Sequence, residues 1–392
     1  WKRLKMPSKK EKSNTCCVTF EVNDGDNRLT STPIFAQTET ESTDSYDDID
    51  WSLYDDLSFE DESIKRYANA KIEGLSPAKL ISFGYDFQGP YTITAASEGP
   101  AIENQNGPAF PQEQDFVVNS TAGIRAGFNL PVVSQTNLVW QMGANYWNTS
   151  YNYAEAPSAS DNPLHQTLSE HGLRTSGINT TVYKPLDEEQ FILFQGSADM
   201  SGTYGSSLMP AKYLKYSAAV LWGKRPTEKK QWAVGVARTY RVGELNYIPV
   251  ILYNKTSANN KWGTEALFPA RVHVRRTINP RNMVFLGYEL QGQSFRMYEN
   301  ENLGFDIRNE DLEIRRGEIR LRAIYEFSLK NFIWMSVQAG YRINYRYDVD
   351  RLEAGPDIYR AFNLIDGTPE YAQKNGLTDP FYVNISVNLV SP

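Results

Sequence analysis

Cysteine is almost absent: Cys16 and Cys17 are the two in 392 residues, and they are neighbours. Adjacent cysteines rarely bridge each other, so no disulfide framework is implied. Histidine is as sparse. His165 and His171 have no third ligand at a metal-site spacing, and His273 stands apart, so no metal site is indicated. Runs of about 18 apolar residues are missing, which removes a transmembrane helix but not a transmembrane barrel, where only alternate residues face lipid. Positive charge is not in excess. Lys and Arg total 40 against 47 Asp and Glu, a net charge of −7, which does not support a nucleic-acid surface. P-loop, dinucleotide-binding glycine, HExxH and GxSxG patterns do not occur, so the chain offers no cofactor site and is expected not to be an enzyme.

Aromatic residues are plentiful, with 24 Tyr and 8 Trp, as suits the interfacial girdles of a membrane protein. The most informative stretch is Asn331–Tyr347, NFIWMSVQAGYRINYRY. Ile333, Met335, Val337, Ala339, Tyr341, Ile343, Tyr345 and Tyr347 form one apolar series. Trp334, Ser336, Gln338, Gly340, Arg342, Asn344 and Arg346 form a mainly polar or small one. Period 2 held this long requires a β-strand, far longer than the usual strand of about 5–6 residues. Such a strand suits a wall between lipid and a polar interior.

Residues 1–77 read as an N-terminal extension, mostly disordered. Residues 1–36 lack periodicity, and Ser31–Gln37 (STPIFAQ) resembles the end of a signal peptide cleaved after Ala36. The apolar core expected before it is missing, so the start before residue 37 reads as misassigned or as a signal-peptide remnant. Residues 38–63 are acidic and read as a solvated tail. The sharper alternative, a Ca²⁺- or partner-binding tail, has ligands but no EF-hand spacing.

From residue 78 to 392 the pattern is an all-β antiparallel transmembrane barrel of about twelve strands, with ten to fourteen as the range. The expected strands are 78–88, 116–130, 137–153, 166–183, 191–204, 212–223, 231–243, 262–276, 282–297, 318–329, 331–347 and 381–389. Short and long connections alternate, as the periplasmic turns and extracellular loops of outer-membrane barrels do. That alternation requires Tyr247–Tyr253 (YIPVILY) to fold back within a long loop at 244–261. Counting it as spanning, and splitting 262–276, gives fourteen strands instead. On the second strand Val118 is expected outward.

The block 252–292 and the terminal strand FYVNISVNLV (381–390) resemble an uncharacterised family of Bacteroidota-type outer-membrane β-barrel proteins. The resemblance implies residence in the outer membrane of a Gram-negative bacterium, contact with its lipid, and insertion by the barrel-assembly machinery. The chain's end, Leu389-Val390-Ser391-Pro392, departs from the aromatic terminus such strands often carry. The family brings no activity with it.

Parity places a charged set on the inner face: Arg125, Arg271, His273, Arg275, Glu289, Glu318, Arg320, Arg322, Glu326, Arg342 and Arg346. Turn positions set Arg271 about opposite Glu289, Arg342 opposite Glu318, and Arg322 opposite Gln338. Opposite-charge pairs across a ladder contribute roughly 0.2–1 kcal/mol each. A salt-bridge network that fills the lumen is the plain reading. An anion-favouring constriction is the functional one, because Arg outnumbers Glu. The expected function is passive or gated passage of small polar solutes, anions among them. The alternatives are a plugged accessory barrel that meets envelope partners through its loops, and a hydrolase using His165 or His171 with Ser169, for which no acid is placed by a motif.

Overall fold

The computed structural model describes residues 72–77, 79–96, 113–158, 162–204, 214–240, 245–297, 311–352 and 374–390. The expectations for residues 1–71, including the signal-peptide and acidic-tail readings, lie outside the described residues.

Among the described residues sixteen strand segments form one sheet, antiparallel apart from one short parallel pairing. They are β1 (Lys79–Gln88), β2 (Tyr91–Ala96), β3 (Gln114–Gln135), β4 (Leu138–Tyr153), β5 (Leu173–Pro185), β6 (Gln190–Thr203), β7 (Lys215–Thr227), β8 (Lys230–Thr239), β9 (Asn246–Thr256), β10 (Trp262–Phe268), β11 (Arg271–Asn279), β12 (Asn282–Met297), β13 (Asp311–Lys330), β14 (Ile333–Leu352), β15 (Lys374–Leu377) and β16 (Phe381–Val390). β2 continues β1 past Gly89-Pro90 without loss of register: Gln88 lies opposite Thr121 and Tyr91 opposite Val118. β15 likewise continues into β16, with Leu377 opposite Ile93 and Tyr382 opposite Gln88. β1 pairs with both β16 and β3, so the sheet closes on itself as a fourteen-stranded barrel.

The period-2 logic holds strand by strand. β1 and β16 alternate buried and exposed almost perfectly along LISFGYDFQ and FYVNISVNL. The exposed series is apolar: Phe83 is 56% exposed, Val236 66% and Phe381 67%. The buried series is polar: Ser82, Asp86, Gln88, Asn384, Ser386 and Asn388. Polar groups inside and apolar groups outside invert the order of a water-soluble core.

Three expectations are corrected here. Tyr247–Tyr253 does not fold back. It lies in β9, paired with β8 along its length and with β10. The stretch 262–276 is two strands, because Pro269-Ala270 turns the chain between β10 and β11. Proline supplies no N–H to a ladder, so an apolar run crossing it reads as one strand only if that loss is ignored. Finally, 166–183 begins as a helix, α1 (Pro163–His171), and β5 starts at Leu173. Asn162 caps the helix by accepting from the Leu164 and His165 amides, Pro163 sits in its first turn, and Gly172 ends it.

One end of the barrel carries short turns, at 136–137, 186–189, 228–229, 257–261, 280–281 and 331–332. The other carries longer connections, with 269–270 the exception. Near this loop end the barrel changes section. β12 leaves β11 above Leu290, which donates to Ala270 O, and pairs parallel with β6 through Arg296–Gly202 and Met297–Thr203. That seam draws β12–β15 and β2–β6 into a narrower upper storey, while β7–β11 form a side lobe of the wide lower one. The upper storey holds an apolar core of Ile93, Phe116, Val118, Tyr153, Phe295 and Tyr347 among others, into which α1 inserts Leu164 and Leu168. A second apolar core lies low on β4–β10, with Phe191, Leu193, Leu221, Ala233 and Leu252.

Two irregularities turn residues into that upper core. Register slips between Val118 and Ser120 on β3, and between Gly317/Arg346 and Glu318/Asn344 on the β13–β14 pair. A one-residue bulge exchanges the two faces of everything beyond it. Val118 and Tyr347, expected outward, are therefore buried inside. Arg346, expected inward, shares a ladder position with Gly317 on the outer parity and meets Asp348 at 3.8 Å.

Candidate functional site

The charged interior is built from β1, β3 and β10–β14, each contributing alternate side chains. Ladder register decides which of them meet. Arg271 stands opposite Glu289, as the turn position predicts. Arg342 stands opposite Arg320, and Arg322 opposite Gly340, two residues away from expectation. The β13–β14 turn occupies Asn331-Phe332, with a local register shift at Ser328/Lys330, and this moves the whole ladder.

Side-chain reach restores part of what register takes away. Arg320 Nε donates to Glu318 Oε1 at 2.6 Å, Arg316 donates to Glu318 Oε2 at 2.8 Å, and Arg342 Nε lies 3.8 Å from Glu318. Arg125 holds Asp86 Oδ2 through Nε at 3.0 Å and a terminal nitrogen at 2.5 Å, and Arg342 approaches the same oxygen at 3.3 Å. Arg342 also donates to Gln88 Oε1. On the neighbouring strands Arg322 pairs with Glu289, donates to His273 Nε2 at 3.0 Å, and reaches Gln338 Oε1 at 3.4 Å. Arg275 pairs with Glu265 at 2.5 Å and donates to Thr256 Oγ1 at 2.9 Å. Gly263 makes that possible: a Cβ there would lie 2.5 Å from the Arg275 guanidinium.

Much of the network is buried. Arg125, Arg275, Arg320, Glu289 and Glu318 are each at most 2% exposed. Of the expected set, ten residues lie inside and Arg346 does not, since the bulge removes it. Asp86, Gln88, Glu265, Arg316 and Tyr382 complete the network and were not in the set. The parity of β1, whose Ile81, Phe83, Tyr85 and Phe87 point outward, already placed Asp86 and Gln88 inside. Tyr382 had the same signal on β16.

Two segments close the ends. At the loop end α1 seals the upper storey. Its His165 is fully buried, stacked on Phe116 at 4.4 Å, with Nδ1 2.9 Å from the Tyr153 hydroxyl. Burial alone pushes its pKa down to about 3, so the imidazole is neutral. At the turn end residues 72–77 form a strap across the mouth. Glu73 N donates to Glu228 O at 2.8 Å, and its carboxylate meets Lys229 at 3.4 Å and Asn260. Gly74, at φ +82°, turns the strap against Thr256. Ser76 then donates to Glu326 at 2.5 Å, and Lys79 pairs with that carboxylate at 2.7 Å. Glu326 therefore serves the strap as well as the lumen wall.

His165 is in the apolar core, His171 lies beside Glu170 at 3.8 Å, and His273 belongs to the arginine network. Among the described residues no group of three or more His, Cys, Asp or Glu is arranged to hold a metal ion.

No family model matches the chain, and no curated protein matches it. Among solved structures it resembles the COG4313 outer membrane channel from Pseudomonas putida F1, at 11% identity and TM-score 0.35, over 81% of this chain and 98% of that one. It also resembles the P. putida toluene transporter TodX, at 8% identity and TM-score 0.31, over 82% and 93%. A Pseudomonas aeruginosa FadL homologue overlaps at 10% identity and TM-score 0.31, over 91% and 100%. With TM-scores this low, these resemblances carry no argument about this chain. The strand pairing itself establishes the barrel.

Proposed function

We propose that this chain is an outer-membrane β-barrel that passes small polar solutes, anions in preference, through a lumen closed at rest. Its apolar outer face suits lipid. One observation carries the reading. Followed from Arg271 in one direction, a ladder row runs through Glu289, Arg320 and Arg342. In the other direction it runs through Leu267, Leu252 and Ala233. The same lumen is thus filled with apolar side chains on one side and with ions on the other. Burying an ion costs several kcal/mol even after relaxation, and apolar filling of equal volume is often at least as stable. A wall kept ionic where aliphatic packing was available serves something polar. Arginines outnumber the carboxylates among the named network residues, which favours anions.

Planar-bilayer recordings test this. Wild-type protein should be closed or open rarely. Replacing 163–171 by a glycine-serine linker and removing the strap should give steady currents that reverse toward the chloride potential in a salt gradient. A barrel that stays silent in both variants would support the second reading, an accessory barrel plugged permanently by α1 and the strap and offering its loops to envelope partners.

A further inference from the structure

The outer face of β7–β11 carries a cluster of cations beside the turn end. Register puts Lys224, Lys230, Lys255 and Arg276 on that face together with Trp222, Trp232, Tyr253 and Trp262. Lys224 lies opposite Trp232, Lys230 opposite Lys255, and Arg276 opposite Trp262. The Lys224 ammonium is 5.9 Å from the Trp222 ring centroid, and the Arg276 guanidinium is 4.6 Å from that of Trp262. Trp222 and Trp232 meet edge to face at 5.8 Å. Lys230, Lys255 and Arg276 are exposed. The outward positions of β7–β11 contain no Asp or Glu. Asp187, in the 186–189 turn, feels the charge of Lys224. Among the described residues no carboxylate pairs with Lys230, Lys255 or Arg276.

Three adjacent strands repeat one order from the turn end upward. On β7 it is Lys224, Trp222, Val220; on β8 Lys230, Trp232, Val234; on β9 Lys255, Tyr253, Ile251. A cation stands lowest, an aromatic ring above it, and an exposed aliphatic side chain above that. A phospholipid lying against the barrel wall has the complementary order of phosphate, glycerol ester and acyl chain. Trp and Tyr favour the ester level, and Lys and Arg keep their stems on apolar surface while the charge reaches the headgroup. Like charges directly opposite are destabilising in a sheet, so Lys230 and Lys255 call for an anion between them that the chain does not supply. Strands lie about 4.8 Å apart, which sets Lys255 and Arg276 about 10 Å from each other across β10. A headgroup phosphate fits between such positions, and clustered basic side chains attract anionic lipid. We infer that this face binds an anionic glycerophospholipid, with its phosphate held among Lys230, Lys255 and Arg276. The inference goes beyond the passage reading and shares with it only the placement of the barrel in a membrane.

The test gives the full chain, folded in a non-ionic detergent, equal amounts of phosphatidylglycerol and phosphatidylethanolamine, and counts the retained lipids by native mass spectrometry. Wild type should prefer phosphatidylglycerol by about fivefold or more, the contribution of a single well-placed cation at an anionic surface. Lys230→Gln, Lys255→Gln and Arg276→Gln together should bring that ratio below about twofold. Lys184→Gln, Arg281→Gln and Lys330→Gln remove three exposed cations elsewhere at the turn end, and should leave the preference as in wild type. Lys230→Gln alone relieves the facing lysines, so it should lower the ratio while holding or raising the melting temperature. No preference in wild type, equal loss in the two triple variants, or a ratio unmoved by Lys230→Gln overturns the inference. Lipids are counted without recording a current. A silent barrel that keeps the preference removes the passage reading alone, and a conducting barrel without the preference removes this site alone.

Discussion

Arg320 and Arg342 face each other across the β13–β14 ladder, and both guanidinium groups lie over the Tyr382 ring, 5.3 and 4.8 Å from its centroid. Like charges directly opposite are destabilising in a sheet. Three groups make the pairing tolerable. Glu318 binds Arg320 and lies beside Arg342, Asp86 takes Arg342 from the other side, and the ring supplies a cation–π face to both.

Glu318 is the centre of that arrangement, since Arg316, Arg320 and Arg342 all approach it. Glu318→Gln keeps the shape and removes the charge, leaving buried arginines uncompensated. The expected cost is about 3–5 kcal/mol. Urea unfolding in vesicles, read from the mobility shift of folded against unfolded barrel, measures it. A loss below about 1 kcal/mol, the range of an exposed pair, would mean that water reaches this site.

The bulge at Tyr345 separates two arginines that the sequence presents alike. Arg342→Gln should lower unfolding stability by about 3 kcal/mol and alter ion selectivity in any open variant. Arg346→Gln should leave selectivity unchanged and cost less than about 1 kcal/mol. Equal effects at the two positions would show that Arg346 reaches the lumen.

Glu326 latches the strap through Ser76 and Lys79. Glu326→Ala should free the strap and raise the rate of tryptic cleavage after Lys79 by tenfold or more, while the barrel still migrates as folded. Protection equal to wild type would place the strap's hold at Glu73 instead, and Glu73→Ala would then show the effect.

Acid should loosen α1. The folded pKa of His165 is depressed to about 3, against about 6.5 for a free imidazole. Between those values the unfolded segment takes up a proton that the folded one refuses, so stability falls as pH drops from about 6.5 toward 3. Hydrogen exchange at the Gly172 amide, which donates to Leu168 O, should accelerate over that window. His165→Gln should flatten the pH dependence. Exchange that does not change with pH in the wild type would contradict the buried, neutral imidazole.

The sequence alone determined the barrel and much of its interior. Side-chain direction in a strand depends only on parity. A run such as Phe381–Val390 therefore declares its apolar and polar faces without reference to its neighbours. Arg125, His273, Arg275 and Arg342 were legible as interior residues for that reason. Asp86 was legible too, by the same rule.

What parity cannot carry is any change in its own phase. The bulges beside Asn119 and Tyr345 exchange the two faces above them. The number of strands also escaped a reading by connection length, because β9–β11 are short staves joined by a turn at Pro269-Ala270. The pairing of β6 with β12, the entry of α1 into the upper core and the strap across the lower mouth join residues up to 250 positions apart. Local propensity has no access to such distances. The partner of each interior charge was likewise settled by ladder register, where a shift of two residues along β14 set arginine against arginine.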